Sequence, residues 1–495
     1  MPDWDWLERR IDGEVALPGS AAYLAAPPAF NARFGDVRPA AIVACASPQD
    51  AAEAVGFARR HHLELATRAG GHSFAAHAST RGLLLDVTPM RSVTVADGEA
   101  RVGAGARLGE VYEALQEHGL TIPGGTCPPV GVAGLTLGGG LGILGRKYGV
   151  TSDHLVGAEV VLADGRILAC DDHHDEDLFW ALRGAGAGNF GIVTSLVFRP
   201  VPAPGSTTNL HLTWPYEHAA AVIGAWQRWA PTGPDELAAS LKLTAGDDPD
   251  QPPAVDLYGA FHGSRADAAE LAEELVARVG SDPTVADLTA MSWPQTRRFW
   301  AELGNPGEEP GGSPVPRPPQ PQCLYARSEF FARPLPTEAI AALLDAFGQA
   351  RSSGEASELD FMPWGGAYNR RPPDATAFVH RDQLFQLKHA VVLGPDAPPE
   401  HQAAAHQAAT RSWASVHPWG SGRVFQNFAD PDLEQWPAAY YGPNYHRLAR
   451  IKTRYDPSNR FQFQQSLPAS AGSPAARRPA VEGLGRRPPT EERMA

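Results

Sequence analysis

Glycine gathers at three places between residues 70 and 191 of this 495-residue chain: Gly70-Gly71, Gly138-Gly139-Gly140 and the run from Gly184 to Gly191. Such clusters let backbone N–H groups come close to a ligand and form concave nests for anions. One cluster reads as a tight turn. Three, set between strand-like segments, predict a wrap around a pyrophosphate and a flat ring system, hence a large dinucleotide. Two matches to GxGxxG, Gly140 to Gly145 and Gly186 to Gly191, are not Rossmann loops. That loop joins a buried strand to a full helix. Here VGVAGLTLGGG before Gly140 is too glycine-rich for a central strand, only Arg146-Lys147-Tyr148 separate Gly145 from Gly149, and a strand follows Gly191. His72 follows Gly70-Gly71, so its loop can bend close to a bound ring. Taken alone, His72 reads as a hydrogen-bonded turn histidine and Cys127 as a small buried apolar side chain.

The elements that must hold these loops follow from periodicity. Residues 1–33 read as a leader with a helix and a Pro/Ala loop. Residues 34–203 mix strands and helices: IVACA at 42–46, GLLLDV at 82–87, GAEVVLAD at 157–164 and IVTSLVF at 192–198 are strands, and Ala51 to Arg60 is a helix. Leu108, Val111, Tyr112 and Leu115 share a helical face. Residues 204–424 carry amphipathic helices at 217–229 and 265–279 and a Pro/Gly loop at 303–322. Residues 425–468 return to compact aromatic sequence, and the Ala/Pro/Arg-rich 469–495 reads as a disordered tail.

Hydrophobic residues at 43% and charged residues at 20% place the chain among soluble globular proteins. A net charge of -14 argues against nucleic-acid and acidic-membrane partners. MPDWDWLERR lacks the basic and apolar regions of a signal peptide, and no apolar run is long enough to span a membrane. The four cysteines, Cys45, Cys127, Cys170 and Cys323, are too scattered for a disulfide framework or a zinc site. Together these features point to the cytoplasm and to no bound metal.

Four longer motifs then occur in order: RAGGHS at 68–73 followed by LLLDV at 83–87, PGGTCPPVGVAGLTLGGGLGILGRKYGVTSD at 123–153, DLFWALRGAGAGNFGIVTSLVF at 177–198, and YYGPNYHRLARIKTRYDPSNRFQFQQSLP at 440–468. This series resembles the berberine-bridge-enzyme-like oxidases of the vanillyl-alcohol-oxidase flavoprotein superfamily. The resemblance implies an α+β fold, with a two-part α/β FAD-binding lobe and a substrate lobe whose antiparallel sheet is backed by helices. It implies FAD bound covalently through His72, at the flavin 8α-methyl carbon, and through Cys127, at ring position 6. Imidazole and thiolate are nucleophiles suited to that chemistry. It further implies cofactor contacts from Arg68, Ala69, Gly70, Gly71 and Ser73, from Val132, Gly134, Gly139, Gly140 and Gly142 along the FAD, from Val193 at the adenine end, and from Asn459. Val130, three residues after the cysteine, stands where the family gates oxygen. Its small side chain implies an oxidase that passes electrons to O2 and forms peroxide.

Three positions where many relatives carry substrate-side tyrosines are Phe74, Leu141 and Phe425 here, and Phe428 ends the Phe-Gln-Asn-Phe run. The usual phenolate base is therefore missing, and the pocket is expected to be more apolar than a sugar site. In HRDQLFQLKH at 380–389, Gln386 and Lys388 share a strand face. Lys388 is the first candidate for the acid–base group, as a lysine of lowered pKa in an apolar pocket; a salt-bridged lysine is the plain alternative. Tyr148, Tyr258, Tyr325 and His389 remain candidates. The expected activity is oxidation of a small or medium organic molecule, a natural-product intermediate with an alcohol or activated C–H bond. Carbohydrate oxidation and flavin storage are the alternatives.

Overall fold

Ser47 opens the first long helix by accepting the Asp50 N–H at 3.2 Å, and Pro48 supplies a pre-set first turn. Helix Pro48–Arg60 then buries Ala51, Ala54, Val55, Phe57 and Ala58 on one face. That face meets a small sheet in which strand Leu83–Asp86 runs parallel to both Ala41–Ala44 and Leu65–Arg68. Strands covered on both faces read as unbroken apolar runs, which is why this piece is legible in sequence. A computed structural model describes residues 2–246, 248, 250–304, 322–352 and 356–469 of the chain. Most of the 303–322 loop and almost all of the 469–495 tail lie outside these residues.

Residues 1–33 do more than lead in. Glu14–Ala16 adds an antiparallel edge strand to the first sheet, beside Ala41–Ala44. Asp50 locks it there, its carboxylate accepting from the backbone of Asp12, Gly13 and Ala46 at 2.9–3.0 Å. Three residues are too few to show alternation.

The second piece of this lobe is a five-stranded antiparallel sheet in the order Val93–Ala96, Glu99–Gly103, Ile192–Phe198, Leu155–Val161, Ile167–Asp171. Residues 440–468 fold back onto it. Helix Tyr445–Tyr455 buries Leu448 and Ile451 in the same core. Buried Lys452 ties that helix to Asn189 and Phe461 carbonyls at 2.6 Å and to Asp456 at 2.7 Å. The helix after Gly145 is a single turn, Gly145–Tyr148, and strand Ile192–Phe198 follows Gly191, so neither GxGxxG opens a crossover helix.

The second lobe is a seven-stranded, wholly antiparallel sheet, ordered Val285–Ser292, Ser206–Trp214, Ala254–Phe261, Leu237–Ala245, Ser357–Pro363, Phe385–Leu393, Cys323–Phe331. Alternation divides its faces. Leu241, Leu257, Phe361, Phe385 and Leu387 join the core beneath helices Ala219–Trp229, Arg265–Val279 and Thr337–Ser352. Ser240, Lys242, Asp360, Met362, Gln386 and Lys388 point the other way, toward the first lobe. The lobes are pinned by Arg146, whose buried guanidinium donates to carbonyls of Leu237, Pro231 and Gly233 at 2.7–2.8 Å and to Trp364. The fold is α+β. Among the described residues no helix is long and apolar enough to cross a membrane.

Candidate active site

One continuous cavity of about 3180 Å³ runs between the lobes. A usual small-molecule site occupies roughly 300–1,000 Å³, so this one has room for a large dinucleotide and a second molecule. His72 and Cys127 both border it.

The loops carrying those two residues are interlocked through backbone. A Cβ on Gly70 would lie 2.2 Å from Gly131 N, and one on Gly131 would lie 2.4 Å from Gly70 N. Only glycine permits that approach. The Cys127 loop is further held where Val130 N–H donates to Cys127 O at 3.3 Å, Leu108 N–H to Val130 O at 2.9 Å and Gly109 N–H to Pro128 O at 3.0 Å. The His72 loop is braced by Arg68, which donates to Pro27 O, Ala78 O and Ser79 Oγ at 2.7–3.1 Å, and by Ser73, whose hydroxyl accepts from His77 N–H. The His72 ring stacks on Phe30 with centroids 3.8 Å apart and makes no hydrogen bond among the described residues. Burial pushes its pKa down to about 4, so the ring is neutral near pH 7 with a free nitrogen lone pair.

Phe74, Phe425 and Phe428, which carry no tyrosine hydroxyl, form an aromatic cluster. Phe74 lies parallel to Phe428 at 5.4 Å, and Phe428 meets Phe425 edge-on at 5.3 Å. Leu141 extends this apolar patch. The facing sheet is not apolar. Strand register sets Lys388 opposite Asp360, and Asp360 opposite Lys242. Lys388 Nζ lies 2.9 Å from Glu358 and 3.4 Å from Asp360, and Lys242 Nζ lies 3.4 Å from Glu358. The expectation of a pocket more apolar than a sugar site fits the aromatic wall and not the charged sheet face.

This quartet corrects the reading of Lys388. It faces the cavity, but not as a neutral base. Burial by itself would lower its pKa; Glu358 and Asp360 outweigh burial and hold it above the ordinary lysine value. Glu358 shows the converse: burial would raise it, yet Lys388 and Lys242 bring it down to about 2. Gln386 shares the face with Lys388 but does not border the cavity; its amide is buried, and among the described residues neither its oxygen nor its nitrogen has a hydrogen-bond partner. Of the other candidates, Tyr258 borders the cavity, with burial, then Asp256, raising its pKa to about 12. His389 turns to the helix side and meets Ser412 Oγ at 2.8 Å, and Tyr325 meets Gln402 at 3.1 Å. Tyr148 does not border the cavity.

The remaining expected contacts divide. Ala69, Gly70, Gly71, Ser73, Val130, Gly134, Gly142, Val193 and Asn459 border the cavity. Arg68, Val132, Gly139 and Gly140 do not. Arg68 is spent on bracing its loop, and Val132 is buried in the first turn of helix Val132–Leu137. Gly139 and Gly140 have positive φ, and a Cβ on either would strike Phe378, or Thr151 and Leu135; packing, not ligand approach, requires glycine there. Four contributors were not read from sequence. Phe30 stacks on His72, and Asn31 donates to Phe74 O at 2.9 Å and Leu324 O at 3.0 Å, so residues 1–33 shape the site. His77 borders the cavity with Nε2 buried and unpartnered. Asp360 also borders it, with a buried, unpartnered Oδ1. Glu358 and Asp360 sit two apart on one strand, a face legible by alternation, but their meeting with Lys388 depends on register.

The cavity wall fits FAD. Asn459 Oδ1 and His77 Nε2 are orphaned polar atoms on it, and a Cβ at Gly134 would meet nothing within 4 Å. Comparison with known proteins agrees. A family model for an FAD binding domain matches residues 39–171, and one described as berberine and berberine like matches 424–468. The chain is 34% identical to an uncharacterized FAD-linked oxidoreductase, YgaK of Bacillus subtilis, over 88% of this chain and 92% of that one. It is 31% identical to berberine bridge enzyme-like 6 of Arabidopsis thaliana, over 86% and 81%. Solved structures that superpose on it include Physcomitrella patens BBE-like 1, with TM-score 0.85, 27% identity and coverage of 94% and 99%. An Acremonium strictum glucooligosaccharide oxidase superposes with TM-score 0.84, 28% identity and coverage of 95% and 100%. The site and fold are those of an FAD-linked oxidoreductase. The chain belongs to the berberine bridge enzyme-like family of these flavoproteins.

Proposed function

We propose that the protein is an oxidase that holds FAD covalently through His72 and Cys127 and oxidises a small or medium organic molecule, a natural-product intermediate with an alcohol or activated C–H bond. The main support is the Gly70–Gly131 interlock, which joins the two loops that carry His72 and Cys127, both bordering the cavity. The Acremonium strictum oxidase, whose structure revealed a novel flavinylation, is a structural relative. Bound FAD supplies the hydride acceptor and, once reduced, the reaction with O2.

The chain's own residues supply position and proton handling. The Phe74–Phe428 stack keeps water from one side of the substrate. Asp360 Oδ1, without a hydrogen-bond partner among the described residues, accepts the substrate proton, a role that moves from Lys388 to its neighbour. Lys388 stays protonated and balances the charge. Val130 leaves space for O2. The charged sheet face favours carbohydrate as a second substrate class, because it offers hydrogen-bond partners that the aromatic wall does not.

Acid precipitation followed by peptide mass mapping tests the attachment. Flavin should remain with the protein on peptides containing His72 and Cys127; its release into the supernatant would remove the claim.

A further inference from the structure

Helix Trp293–Gly304 presents Trp293, Arg297 and Trp300 to the cavity from one face, at spacings of four and three residues. The helix is fixed by buried hydrogen bonds: Trp300 Nε1 donates to Asn209 Oδ1, and Asn209 Nδ2 to Thr296 Oγ1, each at 3.0 Å. The Arg297 guanidinium carbon sits 5.3 Å from the Tyr112 ring centroid. Tyr112 in turn donates to Gly125 O at 2.8 Å, two residues before Cys127. Arg297 is therefore held beside the segment that carries Cys127.

Arg297 is partly buried, and its partners differ from those of the buried arginines. Arg146 and Arg68 are surrounded by acceptors, and Arg381 pairs with Asp153 at 2.7 Å. Arg297 Nε, like that of Arg183 and Arg381, is buried without a hydrogen-bond partner among the described residues, but those two arginines form ion pairs with Asp172 and Asp153. Among the described residues Arg297 has none; its charged neighbour Glu113 lies beyond ion-pair distance. A guanidinium stays charged in proteins, and leaving such a group half-withdrawn from water and unpaired is costly. A planar fork of donors among indole and phenol rings matches a carboxylate carried on an aromatic body.

We infer that Arg297 is a specificity residue that anchors the acidic group of the substrate, and that the substrate class is aromatic carboxylates. The inference rests on the reading that this cavity holds FAD and substrate together. It fails separately from that reading, since acid-stable flavin and peroxide formation do not depend on it.

The test uses the purified holoenzyme and three pairs of probes: benzoate, cinnamate and 2-naphthoate, each against its amide. Binding is followed by perturbation of the flavin absorbance and by the rise in Tm. At least one carboxylate should bind the parent more tightly than its amide. Arg297→Gln should weaken that carboxylate about 10- to 100-fold, the range for hydrogen bonds to charged groups, leave the amide unchanged, and keep flavin content and the ligand-free spectrum as in the parent. Arg297→Lys should restore part of the preference. The inference is overturned if no carboxylate outbinds its amide in the parent, a measurement that needs no variant. Equal weakening of acid and amide in Arg297→Gln, or a changed ligand-free flavin spectrum, which would make Arg297 a cofactor contact, would overturn it too.

Discussion

On the wall formed by the His72 and Cys127 loops, the decisive contacts run backbone to backbone; on the sheet wall opposite, they run side chain to side chain. Gly70 and Gly131 approach so closely that an extra carbon on either has no space. Lys242, Glu358, Asp360 and Lys388 instead hold one another by charge, across three neighbouring strands. The first wall tolerates no added volume. The second tolerates new volume but not an unbalanced charge. A cofactor gripped by backbone can stay constant while the opposing side chains vary with the substrate.

The largest effect should come from adding one carbon to the backbone wall. Gly131→Ala must separate the two loops, at roughly 1–3 kcal/mol for overpacking, and should abolish most acid-stable flavin while lowering Tm. Ser240→Ala on the sheet wall should keep the full flavin content. Normal flavinylation of Gly131→Ala would break the comparison.

A charge change on the sheet wall should spare the cofactor and strike turnover. Asp360→Asn keeps the shape and removes the acceptor. It should slow flavin reduction by substrate roughly 10²–10⁴-fold, the usual worth of general-base help, with flavin content unchanged. An unaltered reduction rate in anaerobic stopped flow would return the proton to the substrate itself.

Val130→Leu should have a smaller and more selective effect. Added volume beside the flavin should slow reoxidation by air several-fold and leave reduction untouched. Equal reoxidation traces for parent and variant would take Val130 out of the oxygen path.

The smallest effect concerns pH. Glu358 has a folded pKa depressed to about 2 from an ordinary 4.5. The stability it contributes is present above the ordinary value and is lost as pH falls from there toward 2. Lys388→Met removes one of its two cations, so acid unfolding, followed by circular dichroism, should begin at higher pH than in the parent. Lys388 is held above its ordinary value, so parent activity should show no step from this lysine between pH 6 and 9. A step there would restore Lys388 as a neutral base.

The sequence by itself determined the local facts of this protein. Glycine spacing excluded a Rossmann loop, because the turns after Gly145 and Gly191 are set within a few residues. Short apolar runs marked two of the three parallel strands, Ala41–Ala44 and Leu83–Asp86, and alternation put Gln386 and Lys388 on one face. The motif series assigned the family and named His72 and Cys127. The tertiary structure decided what depends on distant residues. Strand register brought Glu358 and Asp360 to Lys388 and reversed its expected protonation. Packing reassigned Gly139 and Gly140 from ligand approach to close contact with Phe378 and Thr151. Residues 1–33 entered the site through Phe30 and Asn31, and Arg297 was left without an ion pair among the described residues. Each of these rests on contacts between segments far apart in the chain, which local periodicity does not encode.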